Sequence, residues 1–259
     1  MPFLELKDIR IYYEISGPGN APVLLFSNSL GTNLAMWDPQ MDSFSKDFRV
    51  LRYDTRGHGK ATTSPGLYTI DQLADDVLGV LDKLSIQQVH FCGLSMGGMI
   101  GISLSLRAPQ RIRKLVLCNT APKIGSPEIW NTRIETVQKS GMAAVVDGVL
   151  ERWFTAQFRA NSRAAIERTR SMLLRTDVAG YAATCAAIRD YDAREAIRKI
   201  EKPTLILSAT YDPVTPPMDG HFMAERIRGS QYKELPAAHL SNIEVAEAFT
   251  MELSNFLSA

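Results

Sequence analysis

Gly93-Leu94-Ser95-Met96-Gly97 sets a serine between two glycines, with an apolar run on either side. When the first run is a strand and the second a helix, G-x-S-x-G is a sharp turn that lifts the serine hydroxyl over the end of a sheet. The glycines let strand and helix close around Ser95, and the helix start favours a developing negative charge. A serine hydroxyl is a weak nucleophile at neutral pH and needs a base beside it. The chain offers four histidines: His58, His90, His221 and His239. His90 belongs to the strand that leads to Ser95 and reads as core. His221 falls in a late amphipathic helix and reads as surface. His58, in Arg56-Gly57-His58-Gly59, reads as part of a structural loop. His239 follows the last strand, in Pro236-Ala237-Ala238-His239, where the base of a serine–acid–histidine order belongs. Asp212 follows the strand Thr204 to Ser208 and is the candidate acid, holding the imidazole in its productive tautomer. The oxyanion of an acyl-transfer intermediate needs backbone N–H donors. Met96, next to the serine, is one; Leu30, in Ser27-Asn28-Ser29-Leu30-Gly31, is the other by position.

The elements that must hold these residues follow from hydropathy patterning. Phe3 to Leu6 and Ile9 to Ile15 predict an edge hairpin. Val23 to Ser27, Phe48 to Tyr53, Val89 to Cys92, Lys114 to Cys118, Thr204 to Ser208 and Tyr232 to Leu235 predict the remaining strands, several of them continuously apolar as in a buried parallel sheet. Ile70 to Leu84, Met96 to Arg107, Pro217 to Ile227 and Val245 to Leu257 predict helices. The alternation marks an α/β fold with an eight-stranded, mostly parallel sheet. Between Lys123 and Lys199 no strand pattern appears. That stretch reads as helices broken at Gly141, Gly148 and Gly180, a helical cap inserted after the sixth strand. The expected layout is a core of residues 1–122 and 201–259 with a cap of residues 123–200.

Composition excludes several classes. The 259 residues carry a net charge of +1, so no global field recruits nucleic acid or an anionic membrane. No apolar run approaches the ~18 residues of a transmembrane helix. The first eight residues lack a basic segment followed by an apolar one, and no secretory signal is expected. Three cysteines, Cys92, Cys118 and Cys185, form no disulfide framework, and a reducing cytoplasm is the expectation; Cys92 and Cys118, in apolar strand-like runs, read as buried. No metal-binding or phosphate-binding motif is present, so neither metal nor cofactor is expected. The exception to even charge is local. Pro122 to Ile200 holds 13 Lys and Arg against 9 Asp and Glu, which reads either as a solvated helical surface or as a region that attracts an anion.

Taken together, Ser27-Asn28-Ser29-Leu30-Gly31-Thr32, Asp54-Thr55-Arg56-Gly57-His58-Gly59, Gly93-Leu94-Ser95-Met96-Gly97-Gly98 and Ala237-Ala238-His239-Leu240-Ser241-Asn242 resemble the 3-oxoadipate enol-lactonases, cap-bearing members of the α/β-hydrolase fold. Asn28-Ser29, where most hydrolases of this kind carry His-Gly, is part of the resemblance. It implies hydrolysis of a small carboxylated enol-lactone to 3-oxoadipate in aromatic-compound catabolism, without a cofactor. The residues alone leave open a general carboxylesterase, a carbon–carbon bond hydrolase, a perhydrolase, or a ligand receptor that keeps the triad without turnover. A substrate carboxylate would need a charged partner. Trp130 and Arg133 lie three apart in the first cap helix and share a face. They are the expected aromatic wall and carboxylate partner, with Trp153 as a second wall; the plainer reading has the tryptophans gluing the cap down and Arg133 solvated.

Overall fold

The computed structural model describes residues 2–258. Eight strands, β1 (Phe3–Glu5), β2 (Arg10–Ser16), β3 (Val23–Ser27), β4 (Arg49–Tyr53), β5 (Val89–Leu94), β6 (Ile112–Cys118), β7 (Thr204–Ala209) and β8 (Gln231–Leu235), form one sheet in the order β1-β2-β4-β3-β5-β6-β7-β8. The pairs β1–β2 and β2–β4 are antiparallel and the other five are parallel. Every residue of β5 and β7 is buried, as their unbroken apolar sequences require when helices cover both faces. Edge strand β8 buries only Leu235 fully.

The helices are α1 (Asp38–Phe44), α2 (Ile70–Lys83), α3 (Met96–Arg107), α4 (Pro127–Ser140), α5 (Ala143–Trp153), α6 (Ala156–Asn161), α7 (Arg163–Leu174), α8 (Val178–Asp190), α9 (Pro217–Arg226), α10 (Ser241–Glu244) and α11 (Ala246–Ser258). Thr69 caps α2, its side chain accepting from the Gln72 N–H. Helix α3 buries ten of its twelve residues, so it packs as a core element rather than as a surface helix. Arg56 ties the opening hairpin to α2: its buried guanidinium donates to both Asp8 and Asp76. A buried charge paired on two sides is held without leaving an uncompensated ion.

All eight predicted strands are present, and α4 to α8 occupy the stretch between β6 and β7. Two local expectations fail. Gly148 does not break a helix: α5 runs through it because Val146, Val149, Leu150 and Trp153 bury one face, outweighing the ~1 kcal/mol that glycine costs relative to alanine. Gly180 lies in the first turn of α8 rather than at a break. A Cβ there would stand 2.5 Å from Gly57 Cα, so the glycine serves a close backbone approach between α8 and the loop after β4. The expected closing helix is present as α11, and the short α10 that precedes it is separated from it by Val245, which leaves helical geometry at φ −126° and ψ 53°. Helix α1, short and polar, went unrecognised.

Candidate active site

Strand β5 delivers Ser95 into a backbone conformation of φ 57° and ψ −117°. Such strain costs about 1–3 kcal/mol and persists only where surrounding bonds enforce it. They do. The Ser95 N–H donates to Cys118 O at 2.9 Å, and Ser95 O accepts from Thr120 Oγ1 at 2.6 Å and from the Gly98 N–H at 2.9 Å. The glycines leave room for it: a Cβ on Gly93 would meet Gly97 O at 2.2 Å, and one on Gly97 would meet Ser27 O at 2.1 Å. The second contact lays the start of α3 against the loop after β3, which brings Met96 and Leu30 to the same end of the sheet. Among the described residues neither backbone N–H has a protein acceptor. Behind that loop, Asn28 donates to Tyr53 O at 2.7 Å and accepts from Trp37 Nε1 at 3.0 Å, fixing the backbone that carries Leu30.

His239 and Asp212 meet where the loops after β8 and β7 converge, with Nδ1 and Oδ2 2.8 Å apart. Asp212 accepts four further hydrogen bonds. Asn119 Nδ2 and Thr215 Oγ1 donate to Oδ2 at 3.0 and 2.8 Å, and the Val214 and Thr215 N–H groups donate to Oδ1 at 2.8 and 3.2 Å. Burial opposes ionisation of Asp212, but the His239 charge and these donors outweigh it and hold the carboxyl below its ordinary value. Asn119, at φ 42° just past β6, is itself held by Ser241 Oγ at 2.6 Å. Composition and spacing gave no hint of it; its one signal is an asparagine directly after a buried strand, a residue type tolerant of left-handed backbone.

Ser95 and His239 line one cavity of about 170 Å³, together with Leu30, Trp130, Arg133 and Trp153. The structure thus brings six of the eight residues singled out in the sequence to its wall; Asp212 lies behind His239, and Met96 is not part of the lining. Met96 follows Ser95 as the first residue of α3.

 Its side chain is buried in the core; of the predicted site residues, Ser95, His239, Leu30, Trp130, Arg133 and Trp153 line the cavity. No hydrogen bond joins Ser95 Oγ to His239 Nε2 among the described residues; such contacts often tighten only when substrate is bound. Larger clefts lie elsewhere, about 920 Å³ beside α2 and about 440 Å³ between α1 and α7, but neither touches Ser95 or His239.

The helical insertion supplies the cavity's charge. Arg133 stands over the Trp130 ring at 5.6 Å, and its Nη1 is 3.4 Å from Tyr181 OH. The Trp130 Nε1–H is already used, donating to Ile124 O at 2.7 Å, so the ring is fixed. Arg152, which the sequence reading passed over in favour of its neighbour Trp153, lines the same cavity. Burial, then the nearby Arg133 charge, lowers its proton affinity. Among the described residues neither arginine has an acidic partner, whereas Arg56, Arg111, Arg170 and Arg189 all do. The Trp153 ring lies 6.5 Å from the His239 ring at 32°.

His58 is buried, its Nδ1 3.0 Å from Arg56 O, and burial lowers its pKa to about 4. His90 is also buried, edge-on to Phe48, while His221 is exposed. Among the described residues no three His, Cys, Asp or Glu side chains converge as metal ligands, and no helix is long and apolar enough to cross a membrane.

A strained serine between strand and helix, on a mixed eight-stranded sheet with a helical insertion, defines a class, and the α/β-hydrolase-fold family model matches residues 22–183. The chain belongs to that family and is a hydrolase. Within it, the chain is 40% identical over 246 residues to 3-oxoadipate enol-lactonase 2 and, equally, to 3-oxoadipate enol-lactonase 1 of Acinetobacter baylyi, spanning 95% of this chain and 92% of each relative. Among solved structures, the enol-lactonase from Burkholderia xenovorans LB400 superimposes with a TM-score of 0.98 at 46% identity, covering 100% of both chains.

Proposed function

We propose that this protein opens 3-oxoadipate enol-lactone to 3-oxoadipate through an acyl-enzyme on Ser95, as a step in aromatic-compound breakdown by the β-ketoadipate route. The observation that carries the reading is the pair of guanidinium groups, Arg133 and Arg152, without acidic partners in the cavity that holds Ser95 and His239. A small ester bearing a carboxylate fits that arrangement, and the names of the relatives supply which one.

In this reading His239 takes the Ser95 proton as Oγ attacks the lactone carbonyl, and Asp212 stabilises the imidazolium through Nδ1. The Leu30 and Met96 N–H groups receive the oxyanion, with α3's first turn adding its partial positive charge. The carbonyl reforms as the ring C–O bond breaks, and the departing enolate oxygen takes the proton from His239. The enol then tautomerises to the ketone. His239 next removes a proton from water, which attacks the acyl carbon and releases the new carboxylate and Ser95. Arg133 and Arg152 hold the substrate's own carboxylate, and Trp130 and Trp153 wall the flat ring. Residues 123–200 act as the cap over a core of residues 1–122 and 201–259, and no metal or cofactor takes part. Three free, buried cysteines suit a reducing cytoplasm. The test is turnover of the enol-lactone against p-nitrophenyl acetate by the purified protein. A kcat/KM at least about 100-fold higher for the lactone is expected, near 2.7 kcal/mol of discrimination. Preference for the neutral ester would make the protein a general carboxylesterase.

A further inference from the structure

The carboxylate of Glu244, on α10, bonds to no residue of its own helix. Its Oε2 accepts from the Ala238 N–H at 2.9 Å. Its Oε1 accepts from the Thr155 N–H at 3.2 Å and from the Thr155 hydroxyl. Ala238 immediately precedes His239. Thr155 lies two residues past Trp153, where α5 ends. A second bond runs the same way on the other side of the histidine, from the Leu240 N–H to Trp153 O at 3.1 Å. His239 is therefore bracketed by two bridges to the end of α5, and Glu244 supplies one of them.

We propose that Glu244 is a positioning residue that fixes His239 to the Trp153 wall of the helical insertion, so that the base and the wall move as one unit. The proposal rests on His239 serving as the base for Ser95. The geometry favours positioning over simple packing for three reasons. The bridge spans two loops far apart in sequence, and its anchor points are one residue from the imidazole and two from the tryptophan that faces it. A carboxylate is the one side chain of this reach that accepts from every donor there, two N–H groups and a hydroxyl, without presenting a donor of its own. Asn119 Nδ2 approaches the Ala238 carbonyl at 3.4 Å, so the residue before His239 is held on both sides, by Glu244 on the N–H of Ala238 and by Asn119 on its carbonyl.

The test compares Glu244→Gln, Thr155→Val and Thr155→Ser with wild type. Glutamine keeps the shape but turns an NH₂ towards donors; valine keeps the volume and deletes the hydroxyl; serine keeps the hydroxyl. Two rates are measured on folded protein, with melting temperatures alongside: kcat for the enol-lactone, and phosphonylation of Ser95 by a fluorophosphonate, which needs the His239 base whatever the natural substrate. Glu244→Gln and Thr155→Val are each expected to lower both rates about tenfold or more with KM within about threefold, the pattern of an interaction that matters in the transition state. Thr155→Ser restores both, and the Gln–Val double variant is no slower than Glu244→Gln alone, because the pair acts as one unit. Melting temperatures that fall while both rates per folded molecule stay at wild type would overturn the proposal, as would additive losses. Wild type that is phosphonylated yet leaves the lactone untouched removes the lactone reading and leaves Glu244 judged by the labelling rate. Wild type that is not phosphonylated at all overturns both.

Discussion

Replacing Arg133 or Arg152 with methionine keeps the length and apolar stem of the side chain and removes the guanidinium. Arg133 is oriented by the Trp130 ring at 5.6 Å and by a long 3.4 Å contact with Tyr181 OH, neither of which neutralises its charge. Its substitution therefore leaves no buried acid unpaired, and the fold is expected to survive. The loss falls on the ligand. One hydrogen bond to a charged group is worth about 1.5–3 kcal/mol, so each variant should raise KM for the lactone acid about 10- to 150-fold. The kcat should change little, because the carboxylate lies away from the bond that breaks and is held alike in ground and transition states. A neutral ester, with no carboxylate to hold, is expected to keep its kcat/KM within about twofold. Arg152 carries an extra expectation: burial first, and then repulsion from Arg133 on the same cavity, lowers its proton affinity. Arg152→Met should accordingly stabilise the free protein slightly while weakening its hold on the lactone. The assay is steady-state kinetics on both substrates with thermal melts alongside. Equal losses on the acid and the neutral ester would refute the reasoning and make the arginines supports for the cavity wall.

Asp212→Asn is expected to fold and to lose about 10⁴ in kcat, since an amide favours the wrong imidazole tautomer and meets donors on both sides; rates within tenfold of wild type would move the acid elsewhere. Asn119→Ala removes one of five donors to Asp212 and strands the Ser241 hydroxyl. It should cost about 1–3 kcal/mol of stability, read by urea denaturation, and lower kcat as well. His58 is pushed down to about 4 by burial, so on acidification the unfolded chain takes up its proton first. That stability is present above about pH 6.5 and lost as pH falls towards 4, up to about 3 kcal/mol. His58→Gln should flatten the acid limb of the stability curve, and an unchanged limb would contradict the assignment.

The strands were legible because burial on both faces demands unbroken apolar sequence, as in Val23–Ser27 and Thr204–Ala209. Helix α3 was legible to the residue, since the elbow starts it and the residues before Pro109 end it. The insertion was legible as helical but not in its breaks. Gly148 and Gly180 look alike in sequence, yet one is a tolerated interior glycine and the other marks a contact with Gly57 that only the tertiary structure reveals. Ser95, Asp212 and His239 could be named because each follows a strand in a fixed order. Asn119, Arg152 and Glu244 could not. Their places depend on which loops meet in space, and a single asparagine, arginine or glutamate in a polar segment carries no periodic signal. Arg152 was hidden further by Trp153, because helical neighbours point about 100° apart and the end of α5 turns both towards the cavity.

The most direct measurement is hydrolysis of 3-oxoadipate enol-lactone by purified wild type and Ser95→Ala, followed by loss of the enol-lactone absorbance. The account predicts rapid turnover by wild type and a drop of several orders of magnitude in Ser95→Ala, leaving about 10³–10⁴ over water from the oxyanion donors and binding. Wild type that does no better than buffer, or Ser95→Ala that keeps more than about a tenth of the wild-type rate, would contradict it.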